Sequence, residues 1–496
     1  MRHPPASLIA AILTVAPLVA SCPALAQSDG KVITKQYDDG SVYEGTFRNG
    51  RQDGKGTYRL PSGYEYSGDW VEGRIQGQGT ARYPNGSVYE GAFEDGQPHG
   101  HGRIVFADGS TYEGDWIEGR MTGEGTATYP DGSTYTGTFL NGDHDGKGTL
   151  EAGGYRYEGD WKAGVKEGTG KTTYADGSTY EGSMAGGERS GKGTLVTPDG
   201  LTYVGEWKNG QINGTGILTQ PNGDVYEGSF VDGQREGKGR TTYASGDVYE
   251  GDFHEDRRQG QGVFTSPDGF RYEGAWVDGH MEGTGTVTYP DGSVYVGAMR
   301  ADRADGQGAI TYPDGSAYQG SWVAGVIQGK GKATYANGQV YEGDFVDAQP
   351  DGQGVMTYPD GYVYDGDWKA GQREGIGTAT YADGTVYKGS FHAGLRDGEG
   401  EMTMTDGFSY LGSWVSGVIE GKGTARYPGG EVYEGTFHDG KREGPGRMTY
   451  KGGKTAEGVW KNGILVAPPP AATAPEDGAT ATSADEASPE TGGASP

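Results

Sequence analysis

A tyrosine followed by x-G-x and a ring recurs along this chain at a stride that hardly varies. It falls at Tyr43, Tyr66, Tyr89, Tyr112 and Tyr135, then at Tyr157 after 22 residues, then every 23 residues to Tyr433, with Ala456 in the next slot. Self-similarity at such a period belongs to arrays in which each unit is one supersecondary element that buries its apolar side against its neighbours. With 98 glycines and 33% hydrophobic residues in 496, the chain is a poor recipe for several ordinary cores. Most of its large apolar surface lies in 34 tyrosines, 12 phenylalanines and 9 tryptophans, so the core is expected to be aromatic.

Within one unit the pattern has period two, the signature of strands. In "GEGTATYPDGSTYTGTF", Gly123, Gly125, Ala127 and Tyr129 share a face, and Tyr135, Gly137 and Phe139 share a face after the turn. "PDG" suits a three-residue hairpin loop, with Pro130 first, Asp131 second and Gly132 in the left-handed bulge position. That turn sets the register: Tyr129 opposes Ser133, Ala127 opposes Tyr135, Gly125 opposes Gly137 and Gly123 opposes Phe139. Large residues face small ones, and the glycines become places where a neighbouring ring lies over bare backbone. The opposite face sets Glu181 against Lys171, Glu250 against Arg240 and Glu342 against Lys332. "LNGDHDG" is read as the connector leading from one hairpin to the next.

The segments "YEGTF…NG…DGKGTY", "YEGDW…EGR…GEGTATYPDGS" and "YEGDF…GQGVMTYPDG" resemble MORN repeats, which share this unit length and this Y-x-G-x-W/F…G…G-x-G skeleton. The resemblance runs from about residue 37 to residue 463. It implies an all-β fold, an elongated single-layer antiparallel sheet of successive β-hairpins in about 19 units of 23 residues. It also implies a scaffold for protein interaction or dimerisation, with lipid binding proposed for some members, and no catalysis. The skeleton is broken at Asp256, Asp302 and Ala348, where other units carry glycine, and at Met184 and Met299, where others carry a ring. At the ends, Lys31 and Ile33 take glycine slots and Ala456 replaces tyrosine, as capping of an open array requires.

All nine tryptophans occupy the ring position, mostly alternating with phenylalanine units, and two phenylalanine units adjoin at Phe230 and Phe253. Tryptophan units tend to place Ile or Met in the connector, as at Met281 and Ile327. Trp276, Trp322 and Trp368 with Met281 and Ile327 are therefore expected to mark an association surface, outside the hairpin ladder at the connector residues.

The N-terminus reads as a bacterial-type secretory signal: Arg2 precedes an apolar stretch from Ala6 to Ala20, and Ala24–Leu25–Ala26 form an A-x-A site. The expected location is periplasmic or secreted. The lone cysteine, Cys22, also sits in a lipoprotein-like "VASC" box and is the candidate lipid anchor. The formal net charge of −28 argues against nucleic acid and against unaided binding to acidic lipid. The expected organisation is a signal peptide at 1–26, a capping strand at 27–42, the array at 43–465 and a disordered acidic tail at 466–496.

The search for chemistry yields no catalytic, cofactor or metal assignment. The G-x-G pairs lack the helix, lysine and serine of a phosphate loop. His99 and His101 have no third ligand nearby, and Asp143 and Asp145 read as turn residues rather than a calcium loop. The glutamates after the tyrosines form a solvated row rather than a perturbed pair. The chain is thus expected to be a non-enzymatic envelope scaffold that binds a protein partner or a second copy. The alternatives are a glycan- or peptidoglycan-binding protein using an aromatic-lined face, and a membrane-associated lipid-binding protein.

Overall fold

Repeated alternation of a flat ring, a glycine and a second ring leaves little choice but strands, and the computed structural model, which describes residues 28–468, contains only strands and turns. The chain divides into two compact units, residues 1–290 and 291–496. The first holds strands β1 (Ser28–Gln36) to β23 (His280–Thr288) and the second holds β24 (Val294–Arg300) to β39 (Ile464–Ala467). Within each unit, every strand pairs antiparallel with its neighbours in sequence, giving a single layer of successive hairpins.

The hairpin of β9 (Arg120–Thr128) and β10 (Thr134–Leu140) has the expected register: Tyr135 opposite Ala127, Gly137 opposite Gly125 and Phe139 opposite Gly123. Its loop also closes as expected, with the Tyr129 N–H donating to Ser133 O at 2.9 Å and Gly132 left-handed at φ 82°. Asp131 Oδ1 accepts the Ser133 N–H at 2.9 Å, so the turn aspartate ties down the strand start. Lys171–Glu181, Arg240–Glu250 and Lys332–Glu342 pair across the other face as the alternation requires.

The connector differs from its expectation. Only Asn141 and Gly142 turn the chain, at φ 51° and 93°, and β11 begins at once at Asp143 and runs to Ala152. Two consecutive left-handed residues make a type I′ turn, whose twist matches that of the flanking strands. "DHDG" then enters the ladder through a bulge: Gly137 pairs with Gly148, but Phe139 pairs with His144, so β11 spends more residues than β10 over the same length. The extra residues break the two-residue alternation, which is why the stretch looked like loop. Pairing runs on through the adjoining phenylalanine units at Phe230 and Phe253 with the same bulge as elsewhere.

A single layer normally lacks anything to bury itself against. Here the ring face supplies its own cover. Tyr135 is fully buried, its ring lying over Gly148 on the next strand so that any Cβ added there would collide with it. Its hydroxyl donates to Thr138 O at 3.0 Å, a bond repeated by Tyr43, Tyr203 and Tyr433. Edge-to-face contacts carry the row onward, from Tyr112 to Phe139 at 4.8 Å between centroids, Phe139 to Tyr135 at 5.0 Å and Tyr135 to Trp161 at 5.3 Å. Such pairs contribute roughly 0.5–1.5 kcal/mol each beyond their area burial. At the C-terminal end, Val466 and Ala467 belong to β39, so the array extends two residues beyond the expected boundary at 465.

Candidate functional site

Trp276, Trp322 and Trp368 are buried, with 3%, 8% and 5% of their surface exposed. Each indole N–H donates to the second glycine carbonyl of the preceding G-x-G, at 3.2 Å to Gly262, 3.3 Å to Gly308 and 2.9 Å to Gly354. Met281 and Ile327 are half-buried and pair with Trp276 and Trp322 within the ladder, on β23 and on β27 (Val326–Thr334). The expectation that these connector residues stand outside the ladder is corrected: a two-residue turn leaves no connector for them to occupy. The tryptophans are core, with polar atoms already satisfied and little surface to offer.

Alternation of tryptophan with smaller rings has a packing consequence instead. The side chain opposite the ring position also abuts the ring of the next hairpin. Arg189, opposite Met184, lies 4.1 Å from the Trp207 ring, Arg258, opposite Phe253, 4.8 Å from Trp276, and Arg396, opposite Phe391, 4.2 Å from Trp414. A flat guanidinium between two aromatic surfaces gains cation–π attraction that an aliphatic group lacks. Arg189 and Arg396 also donate to the next turn, at 2.7 Å to Gly210 O and 2.8 Å to Gly417 O.

The residue before the G-x-G, acidic in most units, has a role that sequence reasoning missed. Asp145 Oδ2 accepts the Ala163 N–H of the following tight turn at 3.1 Å, as Asp305 does for Ala324 at 3.0 Å and Asp397 for Ser416 at 2.9 Å. These carboxylates staple consecutive turns together. The recurrence of Asp, Glu or Gln at that slot was the available signal. His99 and His101 face different carboxylates, Glu94 at 3.1 Å and Asp115 at 3.6 Å. Among the described residues no group of three His, Cys, Asp or Glu side chains converges as metal ligands would. Cys22 and the secretory segment lie outside the described residues.

The opposite face is the open one. In the first unit it forms shallow troughs floored by glycine backbone. One, of about 590 Å³, has Glu44, Thr57, Ser67 and Glu90 along one wall and Lys55 and Gln78 along the other. A second, of about 910 Å³, is bordered by Thr136, Glu158, Lys171, Glu181 and Lys147. Among the described residues no helix is long and apolar enough to cross a membrane.

The family model of the MORN repeat matches this chain eighteen times in tandem, from residues 43–63 and 66–88 through to 410–432 and 433–455. Among curated proteins, alsin of Rattus norvegicus is 47% identical over 53 residues and human alsin 43% over 53 residues. Each match covers 10% of this chain and only 3% of alsin. Among solved structures, the TCP10 domain of Danio rerio CPAP is 14% identical, with a TM-score of 0.15, covering 54% of this chain and 99% of that one. The Drosophila melanogaster SAS-4 TCP domain, solved with a proline-rich motif of Ana2, is also 14% identical, with a TM-score of 0.16, covering 45% of this chain and 90% of that one. With the repeat model covering most of its length, and with strand register and glycine placement to match, this chain belongs to the MORN-repeat family.

Proposed function

We propose that this protein is a non-enzymatic scaffold of the bacterial envelope, periplasmic or secreted, whose carboxylate face docks a protein partner or a second copy. The observation that carries this reading is the difference in closure between the faces. The ring face covers itself, while the other keeps glycine-floored troughs bordered by Glu, Thr and Lys. A polar, mixed-charge trough with exposed backbone suits hydrogen bonding to another chain, with specificity set by which charge stands at each border position. The secretory pattern at residues 1–26 supports a location outside the cytoplasm, with Cys22 as the anchor if processing follows the lipoprotein route.

The test is a paired substitution, Glu158→Lys with Glu181→Lys, on exposed positions of the second trough. Self-association by sedimentation, or capture of a partner identified with the parent protein, should fall at least ~10-fold with melting unchanged, as charge reversal at a recognition surface does. Undiminished binding overturns the assignment of the face. Retention on purified peptidoglycan, insensitive to this pair, would favour a glycan ligand. Membrane pelleting that disappears with Cys22→Ser would favour lipid anchorage as the main role.

A further inference from the structure

The end of the array reverses the charge of the rest. From Val418, where β35 (Val418–Arg426) begins, to Ala467 there are eight Lys or Arg against six Asp or Glu, in a chain of net charge −28. Five of these cations, Lys422, Arg426, Lys441, Arg447 and Lys461, are exposed on the carboxylate face. None of them, nor Lys451 or Lys454 in the last loop, is in an ion pair among the described residues. Four of the five other lysines at the equivalent position do meet a carboxylate, among them Lys55 with Asp69 at 2.7 Å, Lys238 with Asp252 at 2.7 Å and Lys330 with Asp344 at 3.1 Å. Lys422 instead stands opposite Thr436.

Directly after this cluster the sequence changes sign. Residues 468–496 hold five carboxylates, Glu476, Asp477, Asp485, Glu486 and Glu490, and no Lys or Arg. The segment leaves β39 at Ala467, beside the cations. Eight residues lie between Ala467 and Glu476, and the nine chain steps reach roughly 30 Å when extended. The four strand spacings from β39 back to β35 amount to about 19 Å at ~4.8 Å each. We propose that the chain's own acidic segment, residues 476–490, docks on the carboxylate face of the last hairpins, against Lys422, Arg426, Arg447 and Lys461. Tethering makes this an intramolecular encounter at high effective concentration, so weak, exposed charge pairs suffice. The docked segment occupies the face assigned to partners and competes there with any acidic ligand.

The test is zero-length carbodiimide cross-linking of the full-length protein at micromolar concentration, with equal amounts of isotopically heavy and light chains. Bonds should join Glu476, Asp477, Asp485, Glu486 or Glu490 to Lys422, Lys441, Lys451, Lys454 or Lys461 within one chain, without heavy–light pairs. Their yield should fall ~10-fold in 1 M salt, where the screening length is about 3 Å. It should fall ~3-fold in Arg426→Ser with Arg447→Ser, which leaves every lysine in place. Heavy–light pairs would overturn the intrachain assignment in favour of docking between copies. Equal yields to Lys171 and Lys192, or no cross-links at all, would overturn the proposal outright.

Discussion

The two faces of the same strands obey different rules. On β13 (Val165–Thr173) and β14 (Thr179–Ala185), Tyr180 is fully buried on one side, while Glu181 and Lys171 on the other meet at 3.8 Å with 72% and 56% of their side chains exposed. An exposed pair of that kind contributes about 0–1 kcal/mol, whereas the ring face combines burial, edge-to-face contacts and satisfied hydroxyls along nearly the whole array. The difference teaches where freedom lies. Stability is concentrated on one face, so the other can vary its charges from unit to unit.

The sharpest way to break the comparison is alkali. Burial pushes the phenols up, to about 12 for Tyr203, Tyr226, Tyr387, Tyr410 and Tyr433, from the ordinary value of 10.0. A raised folded value means the neutral tyrosine contributes stability that is whole below pH 10 and is lost as pH climbs through about 12. Strand circular dichroism and tyrosinate absorbance should therefore change together between pH 10 and 12, with little change across the neutral range. Ionisation of all 34 tyrosines near pH 10 with the strands intact would show that the rings are not the core.

Single substitutions sharpen the same contrast. Gly125 lies under the ring of Tyr112, contributed by the preceding hairpin, and pairs with both Gly114 and Gly137. Gly125→Val should cost on the order of 1–3 kcal/mol by overpacking. Its neighbour on the other face supplies the control, since Glu124 is exposed and Glu124→Val should cost less than ~0.5 kcal/mol. Hydrogen exchange of the local hairpins is the measurement, because an array opens by neighbourhood rather than all at once. Equal losses would erase the distinction between faces.

Much of this was legible in residue order. The "PDG" loop and the glycine opposition follow from period two and turn chemistry, as the pairing of Gly125 with Gly137 shows. The bulge was not legible, because it adds residues such as Asp145 and Lys147 where the alternation would have counted fewer. Missing it hid the tight turn, put Met281 and Ile327 outside the ladder, and made a buried row of tryptophans read as an exposed stripe. The stapling carboxylates were hidden for another reason: Asp145 bonds Ala163 of the next repeat, a contact that no pattern within one unit contains.

At the tight-turn edge three units depart from glycine, and they test whether edge geometry is as demanding as the ring face. Ala348 and Asp256 are held at φ 61° and 68°. A left-handed alanine costs roughly 1–2 kcal/mol, and glycine gives back about 0.5–1 kcal/mol in chain entropy. Ala348→Gly should therefore stabilise its hairpin by ~0.5 kcal/mol. Asp256→Gly should not follow it, because Asp256 Oδ1 accepts the Arg235 N–H at 3.0 Å and Nε at 3.1 Å; a loss of ~1 kcal/mol is expected. If both substitutions stabilise, the Arg235 contacts contribute nothing.

The smallest effect belongs to the carboxylate face, where three histidines repeat one arrangement. His254 meets Glu236 at 3.1 Å, His392 meets Glu374 at 3.0 Å and His438 meets Glu420 at 2.9 Å. The hydrogen bond to glutamate, then its charge, raises each imidazole above 6.5. The glutamates are lowered below 4.5, Glu236 and Glu420 chiefly by the histidine and Glu374 chiefly by the Ala393 N–H. A raised histidine contributes below 6.5 and loses that contribution as pH rises through its folded value, while a lowered glutamate contributes above 4.5 and loses it as pH falls. The pairs therefore help only between those limits, and all three lie in water, where screening is strong. Proton titration by NMR should place His254, His392 and His438 above 6.5, and Glu236→Gln should bring His254 back towards it while the tyrosine resonances of the ring face stay where they are. Movement of those resonances with the histidine titration would show that the faces are coupled, and that the division of labour between them is less complete than their chemistry implies.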